Sequence, residues 1–78
     1  MLEMPREVTS NIPKITITGF DEVIIENFKG ILEYEEFFVR IATYIGNVII
    51  NGFNMKLTQL NEEDILVKGK IDNISFEK

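Results

Sequence analysis

Cysteine and histidine are both missing from this sequence, and their absence excludes much of the chemistry used by small domains. Without cysteine there are no disulfides and no thiol nucleophile, and without histidine there is no general base with a pKa near neutrality. The serines and threonines therefore lack the usual partner of a catalytic triad. We accordingly expect a protein that is not an enzyme and that holds no cofactor or metal.

Basic residues are also scarce. Eight Lys and Arg stand against 13 Asp and Glu, which gives a formal net charge of -5. Nucleic-acid binding draws its affinity from clustered basic side chains, so we expect no nucleic-acid partner. No apolar run approaches the roughly 20 residues that span a bilayer, and the first residues lack the apolar core of a signal peptide. These features predict a cytoplasmic protein.

The chain of 78 residues is long enough for one domain, with a core so small that self-association becomes a plausible source of stability. Residues 1–11 are polar, contain Pro5 and have no periodicity, which predicts a flexible N-terminal arm. Residues 12–78 are predicted to form a single β domain.

Short runs of β-branched and aromatic residues fill this domain, with a turn signal every eight to ten residues or so. Separate strands are predicted at residues 48–50 and 53–60, and again at residues 65–71 and around Ile74. The pattern predicts an all-β fold of about seven to eight short antiparallel strands, either a small β-sandwich or a partly open barrel. A helix over residues 31–44 is the competing interpretation, which the β-branched and aromatic content disfavours.

Turn-forming residues punctuate the strands. Asn27 and Gly30 bracket a predicted tight reversal between two strands, and Gly46 marks another reversal. Asn51 followed by Gly52 is the strongest hairpin signal in the sequence and predicts a type I′ turn. Both residue types tolerate the positive φ angles that such turns need.

Four aromatic residues gather near one predicted hairpin, which makes them candidates for a protein interface: Tyr34, Phe37, Phe38 and Tyr44. Core packing is the alternative interpretation of the same residues. Because Phe37 and Phe38 are adjacent in a predicted strand, they should point to opposite faces, and one of them is expected outside the core.

Acidic residues form two clusters, at Glu33, Glu35 and Glu36 and at Glu62, Glu63 and Asp64. Paired carboxylates can act as acid and base or bind a hard cation. Neither cluster has the glycine-spaced pattern of a calcium loop, so we favour solvated turns that keep the β domain soluble.

Four motifs in a fixed order resemble the YqfC and YabP family of sporulation proteins in endospore-forming Firmicutes, with the YqfC branch the closer. They are IPKITITG at 12–19, IENFKGILEY at 25–34, RIATYIG at 40–46 and EEDILVKGKI at 62–71. The likeness covers nearly the whole chain. Phe28 stands where the family commonly has histidine, which argues against a catalytic role for that histidine, and Leu60 is followed by Asn61 where proline is common.

This resemblance implies a late-sporulation protein that acts beside a membrane-anchored partner encoded nearby, as YqfC does with YqfD and YabP with YabQ. It also implies an immunoglobulin-like β-sandwich. We therefore expect a non-enzymatic interaction module in the sporulating cell, held near a membrane by a YqfD-like partner, with no small-molecule substrate. Contact would come from the aromatic residues or from main-chain addition at a sheet edge. The alternative is a structural homo-oligomer of a spore assembly layer.

Overall fold

The computed structural model describes residues 12–78, and this part of the chain is a six-stranded antiparallel sheet without a helix. The strands are β1 (Lys14–Thr18), β2 (Glu22–Glu26), β3 (Phe28–Glu35), β4 (Phe38–Thr43), β5 (Gly46–Gln59) and β6 (Asp64–Glu77). Their order across the sheet is β1-β2-β6-β5-β4-β3. The predicted all-β antiparallel fold class is confirmed. The predicted N-terminal arm, residues 1–11, lies outside the described residues.

The β5–β6 hairpin, with 14 residues in each strand, carries the other strands. Strand β2 pairs with residues 64–68 of β6, near the hairpin turn. Strand β4 pairs with residues 46–51 of β5, at the opposite end of the hairpin. Strands are thereby added to one side of the hairpin near its turn and to the other side at its opposite end. The resulting sheet curls around one core. Of the two predicted architectures, this continuous sheet with two open edges is the partly open barrel.

Alternating side chains build that core. Val23 and Ile25 in β2 lie opposite Val67 and Ile65 in β6, and all four are fully buried. Because successive side chains of a strand point to opposite faces, the intervening residues face outward. Among residues 12–78 the buried apolar side chains come from five strands: Val23, Ile25, Phe28, Val39, Ile41, Val48, Ile50, Met55, Ile65 and Val67.

The predicted hairpin at Asn51 and Gly52 is wrong. Strand β5 continues through both residues, because β6 pairs with β5 on either side of them, and the register shifts between Asn51 and Gly52. A Cβ atom on Gly52 would collide with the carbonyl oxygen of Lys70. The Asn-Gly pair therefore bends a strand instead of reversing it, and β6 likewise runs unbroken, so the domain has six strands and not seven or eight.

The predicted reversal between Asn27 and Gly30 is also wrong, because β2 pairs with β6 whereas β3 pairs with β4. Asn27 alone connects the two strands, with a φ of 65°. Its side-chain amide donates to the Ile12 carbonyl at 3.2 Å, and its backbone N–H donates to Asp64 Oδ1 at 3.3 Å. Gly30 lies inside β3, opposite Ala42.

The reversal predicted at Gly46 connects β4 and β5, with Tyr44 and Ile45 at its centre. The buried Thr43 hydroxyl donates to the Gly46 carbonyl and accepts the Ile45 N–H at 3.2 Å. Gly46 has a φ of 147° and starts β5. Strand β4 begins at Phe38, so Phe37 is a turn residue and not the predicted strand residue.

We expect Gly52→Ala and Gly69→Ala each to lower the free energy of unfolding by about 2–4 kcal/mol. Gly69 has a φ of 154°, and a Cβ atom there would lie 2.7 Å from Met55 Cα. Gly30→Ala is the matched control, because no atom lies within 4 Å of its Cβ position. That variant should be unchanged or gain up to about 1 kcal/mol. Urea denaturation measures all three, and equal losses would contradict a close approach at the bend.

Asn27 allows a test of the positive φ between β2 and β3. Asn27→Gly keeps that φ accessible and removes one side-chain hydrogen bond, so we expect a loss of about 1 kcal/mol. Asn27→Ala adds the cost of a left-handed conformation, for a total of about 2–3 kcal/mol. Thermal or urea unfolding compares the two, and equal losses would show that φ is not the constraint.

Candidate functional site

The β5–β6 hairpin bends at Gly52, and one row of paired residues, connected by backbone hydrogen bonds, crosses the sheet at this bend. The Ile71 N–H donates to the Phe20 carbonyl at 2.7 Å. Gly52 is paired with Ile71 and donates its N–H to the Phe37 carbonyl at 3.2 Å. The row therefore connects the β1–β2 turn to the β3–β4 turn. At a strand spacing of about 4.8 Å, Phe20 and Phe37 are separated by about 14 Å along it.

Three exposed phenylalanines lie on this row or directly beside it, and we call Phe20, Phe37 and Phe53 the bend surface. Phe53 follows Gly52 in β5. The three residues are 84%, 60% and 58% exposed, respectively. Large aromatic side chains are normally well buried, and several exposed at one place are typical of a protein interaction site.

A cleft of about 320 Å³ lies close to Phe37, between the end of β3 and the second half of β5. Its lining includes Tyr34, Glu36, Met55 and Lys56. The Met55 N–H donates to the Glu36 carbonyl at 2.8 Å, and the Leu57 N–H donates to the Tyr34 hydroxyl at 3.0 Å. Tyr34 thus occupies the edge of β5 and closes one side of the curled sheet.

The four predicted interface aromatics do not form one patch. Tyr34 pairs with Val39 on the core-facing side, whereas Phe38 lies on the outer face, with its ring centroid 5.5 Å from the Arg40 guanidinium carbon. Tyr44 is at the far end of β4 from Phe37, seven positions and about 23 Å away along the strand. Tyr44 is separated from the other three because β4 extends between them. Tyr34, Phe37 and Phe38 lie at the bend end of the domain, with Phe38 paired with Asn51.

Tyr44 lies at the other end of the domain, where the Lys29 ammonium is 5.7 Å from its ring centroid. An apolar cavity of about 210 Å³ opens at this end, and its lining includes Ile15, Ile45 and Phe76. The exposed parts of these side chains could accept an apolar group, but the cavity has few polar atoms to orient one.

Arg40 organises the charges of the outer face. Its guanidinium is 2.7 Å from a Glu33 carboxylate oxygen and 3.7 Å from a Glu77 carboxylate oxygen. The Asn47 side-chain amide donates to the same Glu77 oxygen at 2.8 Å. Glu33, a member of the first acidic cluster, is thereby a structural partner of Arg40.

The two acidic clusters lie at opposite ends of β3. The Phe28 N–H donates to the Glu63 carbonyl at 3.0 Å, whereas Glu35 ends the strand, seven positions and about 23 Å further along. In the second cluster, Asp64 accepts from the Asn61 side-chain amide at 2.8 Å. Among residues 12–78 no group of three acidic side chains is arranged to hold a metal ion. The geometry therefore does not bring the two clusters together.

Sequence reasoning missed Phe20 and Phe53. Neither belongs to the four aromatic residues predicted to form an interface, and Phe53 starts the predicted strand at residues 53–60. Each directly follows a glycine, Gly19 with a φ of 59° and Gly52 opposite the extra residue of β6. A Gly-Phe pair was the available signal, because Phe20 follows the turn glycine at the end of β1, and Phe53 follows a core-facing Gly52 and therefore points outward.

Comparison with known proteins gives one consistent result. The model of the YabP family matches residues 9–78. A protein of Bacillus subtilis (strain 168), named "Uncharacterized protein YqfC", is 36% identical over 75 residues, which cover 96% of this chain and 81% of that protein. No solved structure matches the chain. The resemblance predicted from the motifs is confirmed, and the chain belongs to the YabP family.

Proposed function

We propose that this protein is a non-enzymatic interaction module of sporulation that binds a membrane-anchored, YqfD-like partner through the bend surface. Membership of the YabP family suggests a sporulation-related role. The observation that supports an interaction module is the exposure of Phe20, Phe37 and Phe53 around one hydrogen-bonded row. In this proposal the protein acts at the cytosolic face of a membrane in the developing sporangium, without a cofactor or small-molecule substrate.

The surroundings of the bend surface indicate the chemistry of the partner. Asp21 and Lys70 lie beside Phe20, and Glu36 and Lys56 lie in the neighbouring cleft. Apolar anchors within a rim of both charges are typical of protein interfaces. A partner segment that offers apolar side chains, flanked by polar groups of either sign, fits this arrangement.

We expect Phe37→Asp and Phe53→Asp each to weaken binding of the partner about ten-fold or more, because each removes an apolar anchor and adds an unpaired charge to the interface. The measurement is co-purification of the chain with a tagged YqfD-like protein from detergent-solubilised membranes. Circular dichroism before and after heating checks that each variant is folded.

Tyr44→Asp is the matched control. Tyr44 is 56% exposed, close to the 60% and 58% of Phe37 and Phe53, but it lies at the opposite end of β4. This variant should retain the partner as the wild-type chain does. Equal retention by all three variants would refute the bend surface as the contact, and loss only with Tyr44→Asp would move the contact to the other end.

The proposed absence of enzymatic activity is tested on the acidic clusters. A variant in which three exposed carboxylates are neutralised should support a normal yield of heat-resistant spores, since none of them is needed for chemistry. The substitutions are Glu35→Gln, Glu62→Gln and Glu63→Gln. Glu33 and Asp64 are left intact because they bond to Arg40 and Asn61, and Glu36 because it lines the cleft beside the bend surface. Loss of spores from a stably folded variant would instead favour carboxylate catalysis.

A further inference from the structure

The two edges of the sheet differ in their protection against strand addition. At the β3 edge the register shifts twice, between Phe28 and Gly30 and between Ile31 and Glu33. Lys29, Glu33 and Glu35 also place charges on this strand. Bulges and charges both prevent another strand from pairing with an edge, so β3 is a protected edge.

The β1 edge has no bulge and a single charge. All five residues of β1 pair with β2 in one unbroken register, and Lys14 is the only charge. Among residues 12–78 no strand pairs with the outer side of β1. Ile17 lies opposite the fully buried Val23, so it faces the core side, yet it remains 54% exposed. The edge therefore combines free backbone groups with an incompletely covered apolar side chain.

We propose that β1 pairs antiparallel with β1 of a second copy of this chain, about a two-fold axis through Thr16. This register is the only symmetric one that pairs all five residues of β1, since a register that is shifted by two positions pairs only three residues of each copy. Thr16 then faces Thr16 of the second copy, Ile15 faces Ile17, and Lys14 faces Thr18. Because Ile15 and Ile17 share the core-facing side, the exposed Ile17 gains an apolar neighbour across the axis.

Charges on the outer face favour the same arrangement. In the single chain Lys14 pairs with Glu26, and Thr18 pairs with Glu22. In the dimer Lys14 therefore has its own Glu26 on one side. On the other side it faces Thr18 of the second copy, and that copy's Glu22 lies one strand further. The second separation is two strand spacings, about 10 Å. Although each chain carries a net charge of -5, this edge places its lysine towards acidic groups of both copies.

The ends of β1 limit the ladder to five residues. Pro13 has no N–H to donate, and Gly19 leaves the extended conformation with a φ of 59°. In the proposed register these two residues face each other at both ends. A ladder this short buries less than the roughly 1,000 Å² of a stable interface, so we expect a weak dimer that forms at about 0.1–1 mM.

Sedimentation equilibrium of the full chain over a concentration series tests the proposal. The apparent mass should rise from 9.0 kDa towards twice that value. Ile17→Lys should raise the midpoint concentration at least about ten-fold, because it places a charge on the core-facing side of the new contact. Ile31→Lys is the control, since Ile31 is 41% exposed and faces the core side of the protected edge. It should leave the midpoint within about two-fold.

Disulfide formation in this cysteine-free chain tests the register directly. Under mild oxidation Thr16→Cys should form a crosslinked dimer, because the two Thr16 residues face each other across the axis. Thr18→Cys, on the same face, should not crosslink, since the two copies of residue 18 are offset by four positions, about 13 Å. Equal crosslinking of both variants would overturn the proposed register.

A full chain that stays monomeric at about 1 mM would overturn the proposal, as would equal effects of Ile17→Lys and Ile31→Lys. Dimerisation that appears only after deletion of residues 1–11 would also overturn it, because the edge would then be covered by the N-terminal segment of the same chain. Binding of the YqfD-like partner is measured separately, so failure of the dimer and failure of the proposed function are distinguishable.

Discussion

The fold depends on a close backbone contact in the middle of the β5–β6 hairpin. A straight strand of 14 residues would extend about 46 Å, and a flat sheet built on it could not enclose a core. At the bend, the Lys70 carbonyl occupies the space that a Cβ of Gly52 would need, and the Met55 backbone occupies that of Gly69. Glycine at these two positions allows the sheet to curl, so that β2 and β4 contribute to a single core.

The same bend places three exposed phenylalanines at one end of the described domain. The alternation that buries Val48 and Ile50 continues through Gly52, so Phe53 points away from the core, and the extra β5 residue between Phe53 and Lys56 returns Met55 to the core-facing side. The pairing row at Gly52 also brings the turns that carry Phe20 and Phe37 to the two sides of the hairpin. A constraint that permits folding therefore also leaves three phenylalanines available for a partner.

The β class was predictable from the sequence because alternation of β-branched residues survives in β1, in β4 and in long parts of β5 and β6. The connections between the strands were not predictable, because a local turn signal does not specify whether the two strands that flank the turn pair with each other. Asn51 and Gly52 have ideal hairpin chemistry, yet a partner strand on both sides keeps β5 extended. Asn27 adopts the expected positive φ but connects two strands that do not pair. Long-range pairing also determined which aromatic residues lie close together, since it separated Tyr44 from Phe37.

The two edges bear on the choice between an interaction module and an assembly layer. A two-fold contact through β1 is closed, because the same strand serves both copies and no second β1 edge remains for growth. The other edge, β3, carries two bulges and the Glu33–Arg40 ion pair, which disfavour further strand addition. Edge pairing in this domain would therefore stop at a dimer and leave Phe37 and Phe53 of both copies, which lie away from β1, available to partners. An extended layer would need a contact other than sheet extension, whereas a dimer with two binding surfaces could gain avidity for a membrane-anchored partner.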